Sequence, residues 1–201
     1  MTLALDKHFK LVNELAVRYG GLVLKTIGDA FMIRFAPGDD AANFAAEIQI
    51  QTLKHPFMVG KEPLRIRIGI ATGPVQVKSM RIQGCHILDY FGNATNSASR
   101  MESKLSQPDG FAITFTDSTL LDTFALHMGK IVAKHAKQHA IKVEIATQVV
   151  KYTSDCAGGR GTTGATHSRS GRMIQHFCKD VEELKGVDAL TACNVIITKK
   201  R

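Results

Sequence analysis

Two hydrophobic periods alternate along this chain. Leu5, Phe9, Val12, Ala16 and Tyr19 recur at three- and four-residue spacing, which predicts a helix over 5–19 that Gly20-Gly21 ends. Short apolar runs at 22–26 and 30–35 then predict two strands, joined by a tight turn at Ile27-Gly28-Asp29. Pro37-Gly38-Asp39-Asp40 opens a second helix, with Ala41, Phe44, Ala45 and Ile48 as its buried stripe. Over 64–71 the period is two: Leu64, Ile66, Ile68 and Ile70 share one side of a strand, Arg65 and Arg67 the other.

Thr72-Gly73-Pro74 turns the chain, and 75–78 continues as strand. A further strand ends at Leu88-Asp89-Tyr90-Phe91, is broken by Gly92-Asn93, and gives way to a helix over 94–104. Strand is expected at 111–114, helix at 117–124 and 130–140, and strand at 142–152 and 193–198. The Gly/Ser/Thr/Arg-rich stretch 154–172 reads as a flexible loop. Helices alternating with hairpin strands place the chain in the α/β or α+β class with a mixed sheet.

The 201 residues suit one domain spanning 1–201. With 44% hydrophobic and 22% charged residues, the chain is of ordinary globular composition, which excludes collagen and wholesale disorder. No run of about 18 apolar residues predicts a membrane-spanning helix. Cys85, Cys156, Cys178 and Cys193 form no CxxC pair and read as reduced thiols, consistent with a cytoplasmic protein or the cytosolic part of a larger, membrane-attached one. The net charge of +8 is concentrated late: residues 129–201 hold 13 Lys+Arg against 6 Asp+Glu. A basic region attracts anions such as nucleotides or nucleic acids. Aromatics are only 6% and do not interleave with the basic residues, so no nucleic-acid partner is expected.

Several side chains carry candidate chemistry. Asp29 on a hairpin turn can protrude toward a metal, since Mg²⁺ is commonly held by one or two carboxylates plus phosphates. Asn96 and Arg100, four apart, share one helix face, where an amide and a planar guanidinium suit a sugar and a phosphate oxygen. Lys25 and Asp89 offer a donor and an acceptor that together match the edge of adenine, whereas guanine wants the opposite pattern. Each has a plainer reading beside it: a turn former, a solvent-facing pair and two unrelated surface charges. His135 and His139, four apart, could bind metal, but a solvated basic helix is the reading preferred. Gly158-Gly159-Arg160-Gly161 lacks the strand-loop-helix frame of a phosphate cradle.

Three segments occur in an informative order: Lys25-Thr26-Ile27-Gly28-Asp29-Ala30-Phe31-Met32, then Arg65-Ile66-Arg67-Ile68-Gly69-Ile70-Ala71-Thr72-Gly73-Pro74-Val75, then Asp89 through Ser103 with Asn96-Ser97-Ala98-Ser99-Arg100 inside it. Together they resemble the catalytic domain of class III nucleotidyl cyclases, the adenylyl and guanylyl cyclases, over about 7–125. A fourth segment, Glu183-Leu184-Lys185-Gly186-Val187, echoes the same family. The resemblance implies a ferredoxin-like α/β core of the βαββαβ type with a mixed, mainly antiparallel sheet. It implies two Mg²⁺ or Mn²⁺ ions, with Asp29 as a ligand. It implies that Lys25 and Asp89 read adenine, as in the adenylyl branch, where guanylyl cyclases carry Glu and usually Cys. Asn96 is implied to orient the ribose, Arg100 to stabilise the transition state, and Lys185 to bind the terminal phosphates.

The implied reaction converts ATP to cyclic AMP and pyrophosphate in a homodimer with its sites at the interface. The family's first metal Asp lies in a Phe-x-Asp strand ahead of the first helix. These 201 residues begin inside or just before that helix, so that strand and that ligand are expected to be missing from them. Residues 129–178 are expected to form a divergent basic insertion. Two alternatives stay open: a guanylyl cyclase, and a catalytically inactive cyclase-like module for dimerisation or nucleotide binding.

Overall fold

The computed structural model describes residues 2–36, 39–106, 108–115, 121–152, 164–167, 173–178 and 190–200. Lys185 and the Gly158–Gly161 run lie outside these residues, as does most of 154–172. Helix α1 (Thr2–Arg18) leads into the hairpin β1 (Leu22–Ile27) and β2 (Ala30–Arg34). Helix α2 (Asp40–Lys54) follows, then the short pair β3 (Met58–Val59) and β4 (Glu62–Pro63), and β5 (Arg67–Ile70). A longer hairpin, β6 (Gln76–Ile82) and β7 (Cys85–Phe91), runs into α3 (Asn93–Arg100), which continues as a π-helical turn over Met101–Leu105. The remainder comprises β8 (Gly110–Phe115), α4 (Leu121–Gln138), β9 (Val143–Tyr152), β10 (Gly164–His167), β11 (Met173–Cys178) and β12 (Leu190–Lys199).

Among the described residues, six strands form one sheet in the order β10-β11-β9-β12-β8-β5. Pairing is mixed and mainly antiparallel: β5 runs parallel to β8 and β11 parallel to β9, while the other pairs are antiparallel. The hairpins β1-β2, β3-β4 and β6-β7 stand as separate two-stranded sheets. This is the mixed α/β class that the alternating pattern predicts.

Among the described residues, two apolar clusters hold the layers together. Ala42, Ala45, Ala46 and Ile50 of α2 meet Ala125, Met128, Val132 and Ala136 of α4 over Phe111, Cys193, Val195 and Ile197 of the sheet. Small residues on α2 let the two helices lie close on one sheet face. In the second cluster, Val12, Leu15 and Ala16 of α1 pack with Phe44 and Ile48 against Val23, Phe31 and Ile33 of the first hairpin. Between the clusters, the buried Gln49 amide donates to the carbonyls of Ile66 (2.9 Å) and Gly110 (2.6 Å), tying α2 to β8 and the run into β5.

Several predicted boundaries change. The helices expected at 117–124 and 130–140 are a single α4 through 138 among the described residues, because Ala125, Met128, Val132 and Ala136 keep one buried stripe through Gly129. Strand β10 falls within the stretch read as loop. The alternation over 64–70 is as predicted, with Leu64, Ile66, Ile68 and Ile70 turned inward and Arg65 and Arg67 exposed.

The solvated reading of His135 is corrected. Its side chain is 2% exposed, and its Nε2 lies 3.0 Å from Asn43 Oδ1. It belongs to a polar network around the buried Glu47. Arg18 donates to that carboxylate at 2.5 Å and Gln51 at 2.8 Å, and the Tyr19 hydroxyl also donates to it. His139 and His135 approach it at 3.4 and 3.7 Å. Burial pushes the Glu47 carboxyl up, but the hydrogen bonds from Tyr19 and Gln51 and the charge of Arg18 outweigh burial and hold it below the usual carboxylate range. The network joins α1, α2 and α4.

Candidate active site

The first hairpin turns through two residues, since Ile27 pairs directly with Ala30. Gly28 takes φ +63°, the left-handed conformation that a two-residue hairpin loop requires and that glycine adopts without a Cβ penalty. Asp29 therefore stands exposed at the hairpin tip. Nearby, His8 of α1 is buried in an aromatic cluster, edge-on to Phe31 with ring centroids 5.9 Å apart, and its Nδ1 has no hydrogen-bond partner among the described residues. Burial lowers the His8 pKa, and the charge of Asp29 partly opposes that shift. Sequence reading missed His8; its only signal was a polar residue beside the helix's apolar stripe.

A register shift between Val23 and Lys25 puts a bulge in β1. Bulges re-aim side chains. Phe31 and Ile33 of β2 face the α1-α2 cluster, and Met32, the partner of Lys25, points to the other side because strand side chains alternate. Lys25 ion-pairs there with Asp89 of β7, whose backbone neighbour Tyr90 also donates its N–H to the same oxygen, Oδ1, at 2.9 Å. The hydrogen bond from Lys25, reinforced by that N–H, holds the Asp89 carboxyl below the usual range.

From Asp89 the chain reaches α3 in four residues. Gly92 precedes the helix, its carbonyl accepting from Asn96 N–H (3.1 Å) and from the Thr95 hydroxyl (2.7 Å). Asn96 is exposed and Arg100 half-buried, one turn apart on the same helix face. The structure thus joins Lys25 to Asp89, sets Asn96 and Arg100 on the helix that follows Asp89, and places Asp29 on the hairpin that carries Lys25.

Metal binding is a more limited fit. Asp29 provides one hard oxygen ligand, and among the described residues no group of three or more His, Cys, Asp or Glu side chains is arranged to hold an ion. One carboxylate suits a single Mg²⁺ shared with substrate phosphates and does not suit two ions.

Residues 1–153 match the family model for the adenylate and guanylate cyclase catalytic domain. The chain belongs to this family. Among its relatives, a receptor-type adenylate cyclase B of Leishmania donovani is 28% identical over 51% of this chain and 10% of its own length. Retinal guanylyl cyclase 2 of Rattus norvegicus is 32% identical over 57% of this chain and 12% of its own. The chain therefore spans about a tenth of the length of these cyclases.

Solved cyclase domains share the fold. The guanylate cyclase domain of RhGC from Catenaria anguillulae, in complex with GTP, aligns with a TM-score of 0.55 at 21% identity, covering 100% of this chain and 85% of that one. An adenylate cyclase from Trypanosoma brucei, described in its monomeric state, aligns at 0.54 and 22% identity, covering 97% and 78%. Cyclases of both base specificities thus stand among the similar proteins. No helix among the described residues of this cyclase domain is long and apolar enough to cross a membrane.

Proposed function

We propose that this domain is the adenylyl branch of the family, converting ATP to cyclic AMP and pyrophosphate. The observation that carries the reading is the Lys25–Asp89 pair. Adenine offers a ring-nitrogen acceptor and an exocyclic amine donor. The Lys25 ammonium donates to the first. Asp89 accepts from the second through Oδ2, since both of the bonds described above fall on Oδ1. Guanine presents a carbonyl and a ring N–H at the same edge and would meet like against like.

In this reading Asn96 holds the ribose so that its 3′-oxygen faces the α-phosphorus. That oxygen attacks, its proton passes to water, and the bond to pyrophosphate breaks. The Arg100 guanidinium neutralises charge growing on the α-phosphoryl oxygens. Asp29 would hold a divalent cation against the phosphates, supplying charge neutralisation when bound. Lys185 would bind the terminal phosphates. Two copies of the chain would build each site, one giving Asp29 and the other Lys25, Asp89, Asn96 and Arg100.

A second reading is a cyclase-like module that binds nucleotide without turning it over. It is favoured by Asp29 standing without a second clustered metal ligand among the described residues. Purified chain incubated with ATP or GTP and Mn²⁺ distinguishes the cases. Cyclic AMP from ATP supports the proposal; cyclic GMP from GTP overturns the base assignment; nucleotide binding without product favours the second reading.

A further inference from the structure

The junction behind Arg100 is built around a missing side chain. Gly69 sits in the middle of β5, directly against the end of α3. A Cβ at Gly69 would overlap the carbonyl oxygen of Ala98 and the backbone nitrogen of Glu102, and would lie 3.0 Å from Met101 Cβ. The first two atoms are backbone, so no rotamer change relieves the overlap and the helix itself would have to move. Ala98 and Glu102 stand two residues either side of Arg100.

The helix changes form at the same point. Immediately after Arg100 it becomes π-helical over Met101–Leu105, closed by Ser106 N–H donating to the Met101 carbonyl at 2.8 Å. The π turn ends the helix, because Ser106 after it is extended. The turn seats Met101, fully buried, beside β5.

Strand β5 grips the turn at three consecutive residues. Arg67 Nε pairs with Glu102 Oε1 at 3.0 Å. Ile68 N–H donates to Ser106 Oγ at 3.1 Å, and that hydroxyl donates onward to the Gly110 carbonyl at 3.2 Å. Gly69 supplies the close backbone approach. Arg67 and Gly69 lie on the same face of the strand, so the ion pair and the close approach act on one side of the helix.

We propose that Gly69 is a positioning residue for Arg100, with the Arg67–Glu102 pair locking the helix end in place. Gly69 touches no substrate; it acts by letting the helix that carries Arg100 rest on β5. The functional consequence rests on the adenylyl cyclase reading, while the clamp itself does not. A displacement of about 1 Å at a group that must meet developing charge costs on the order of 100-fold in rate.

The test compares wild-type chain with Gly69→Ala by two readouts. Amide hydrogen exchange should rise by about tenfold or more across 93–106 in the variant while α4 keeps its protection. In the same variant kcat for cyclic nucleotide formation should fall by about 10- to 100-fold with KM within about twofold, because Arg100 acts on the transition state. Unchanged exchange across 93–106 together with unchanged kcat overturns the proposal. If wild-type chain forms no cyclic nucleotide, the adenylyl cyclase reading fails and the exchange readout alone decides the clamp. If Gly69→Ala does not fold, Glu102→Gln takes its place, since that side chain is partly exposed: faster exchange across 98–106 supports the clamp, and unchanged exchange overturns it.

Discussion

Lys25 and Asp89, 64 positions apart, form an ion pair between the first hairpin and the strand that leads into α3. The pair ties the hairpin bearing Asp29 to the helix bearing Asn96 and Arg100. It also brings a donor and an acceptor to one place, which either residue alone would not.

If that pair reads the base, exchanging its chemistry should exchange the substrate. The double variant Lys25→Glu, Asp89→Cys should shift preference from ATP toward GTP by about tenfold or more in kcat/KM, since a site built on hydrogen bonds discriminates strongly against a mismatched partner. Competition assays with both nucleotides measure the ratio. An unaltered ATP preference would remove Lys25 and Asp89 from the base site.

Arg100→Ala should lower kcat by about 100-fold or more, the usual loss when one group that meets transition-state charge is removed. The melting temperature should stay within about 2 °C, because the residue is only half-buried. Full activity in the variant would displace Arg100 from the reaction.

The Glu47 network predicts a stability cost away from the site. Glu47→Ala leaves Tyr19, His135 and His139 facing a cavity where the carboxylate stood and should cost about 2 kcal/mol in urea unfolding, discounted from a fully buried pair because Arg18 stays largely exposed. A loss under about 0.5 kcal/mol, the size of an ordinary surface effect, would show that the network does not bind the helices together.

Acid should loosen the same junction. His135 has its pKa lowered, chiefly by burial and against the opposing charge of Glu47, with Lys134 and His139 adding to the lowering. Its folded pKa thus lies below its unfolded value of about 6.5. The unfolded chain takes up the proton first, so stability is fully present above that value and is lost as pH falls from it toward the folded pKa. Buried His8 acts with the same sign. Melting temperature should therefore fall between about pH 7 and pH 5.5, and His135→Gln should flatten the slope without abolishing it. A His135→Gln slope equal to wild type would assign the acid sensitivity elsewhere. Cys193, whose thiol burial pushes up to about 12, does not ionise in this range.

Much of the fold was legible because it obeys short-range rules. The apolar stripe of α1, the alternation through Ile66, Ile68 and Ile70, and the turn at Gly28-Asp29 each follow from residues within a few positions of one another. The common face of Asn96 and Arg100 follows in the same way. The single helix through Gly129 was not legible: an isolated glycine reads as a break until a packing partner, here the small-residue face of α2, rewards continuity.

By itself, the sequence determined the elements from α1 through α2, the turn that presents Asp29, and the three ordered segments that mark the cyclase family. Only the tertiary structure decided that Lys25 meets Asp89, that His135 is buried against Asn43 and Glu47, and that Gly69 lies under the end of α3. The physical reason is distance along the chain. Helical and strand periods are written in spacings of two to four residues, whereas an ion pair, a buried histidine or a close backbone approach depends on which surfaces pack together, and no local period records that.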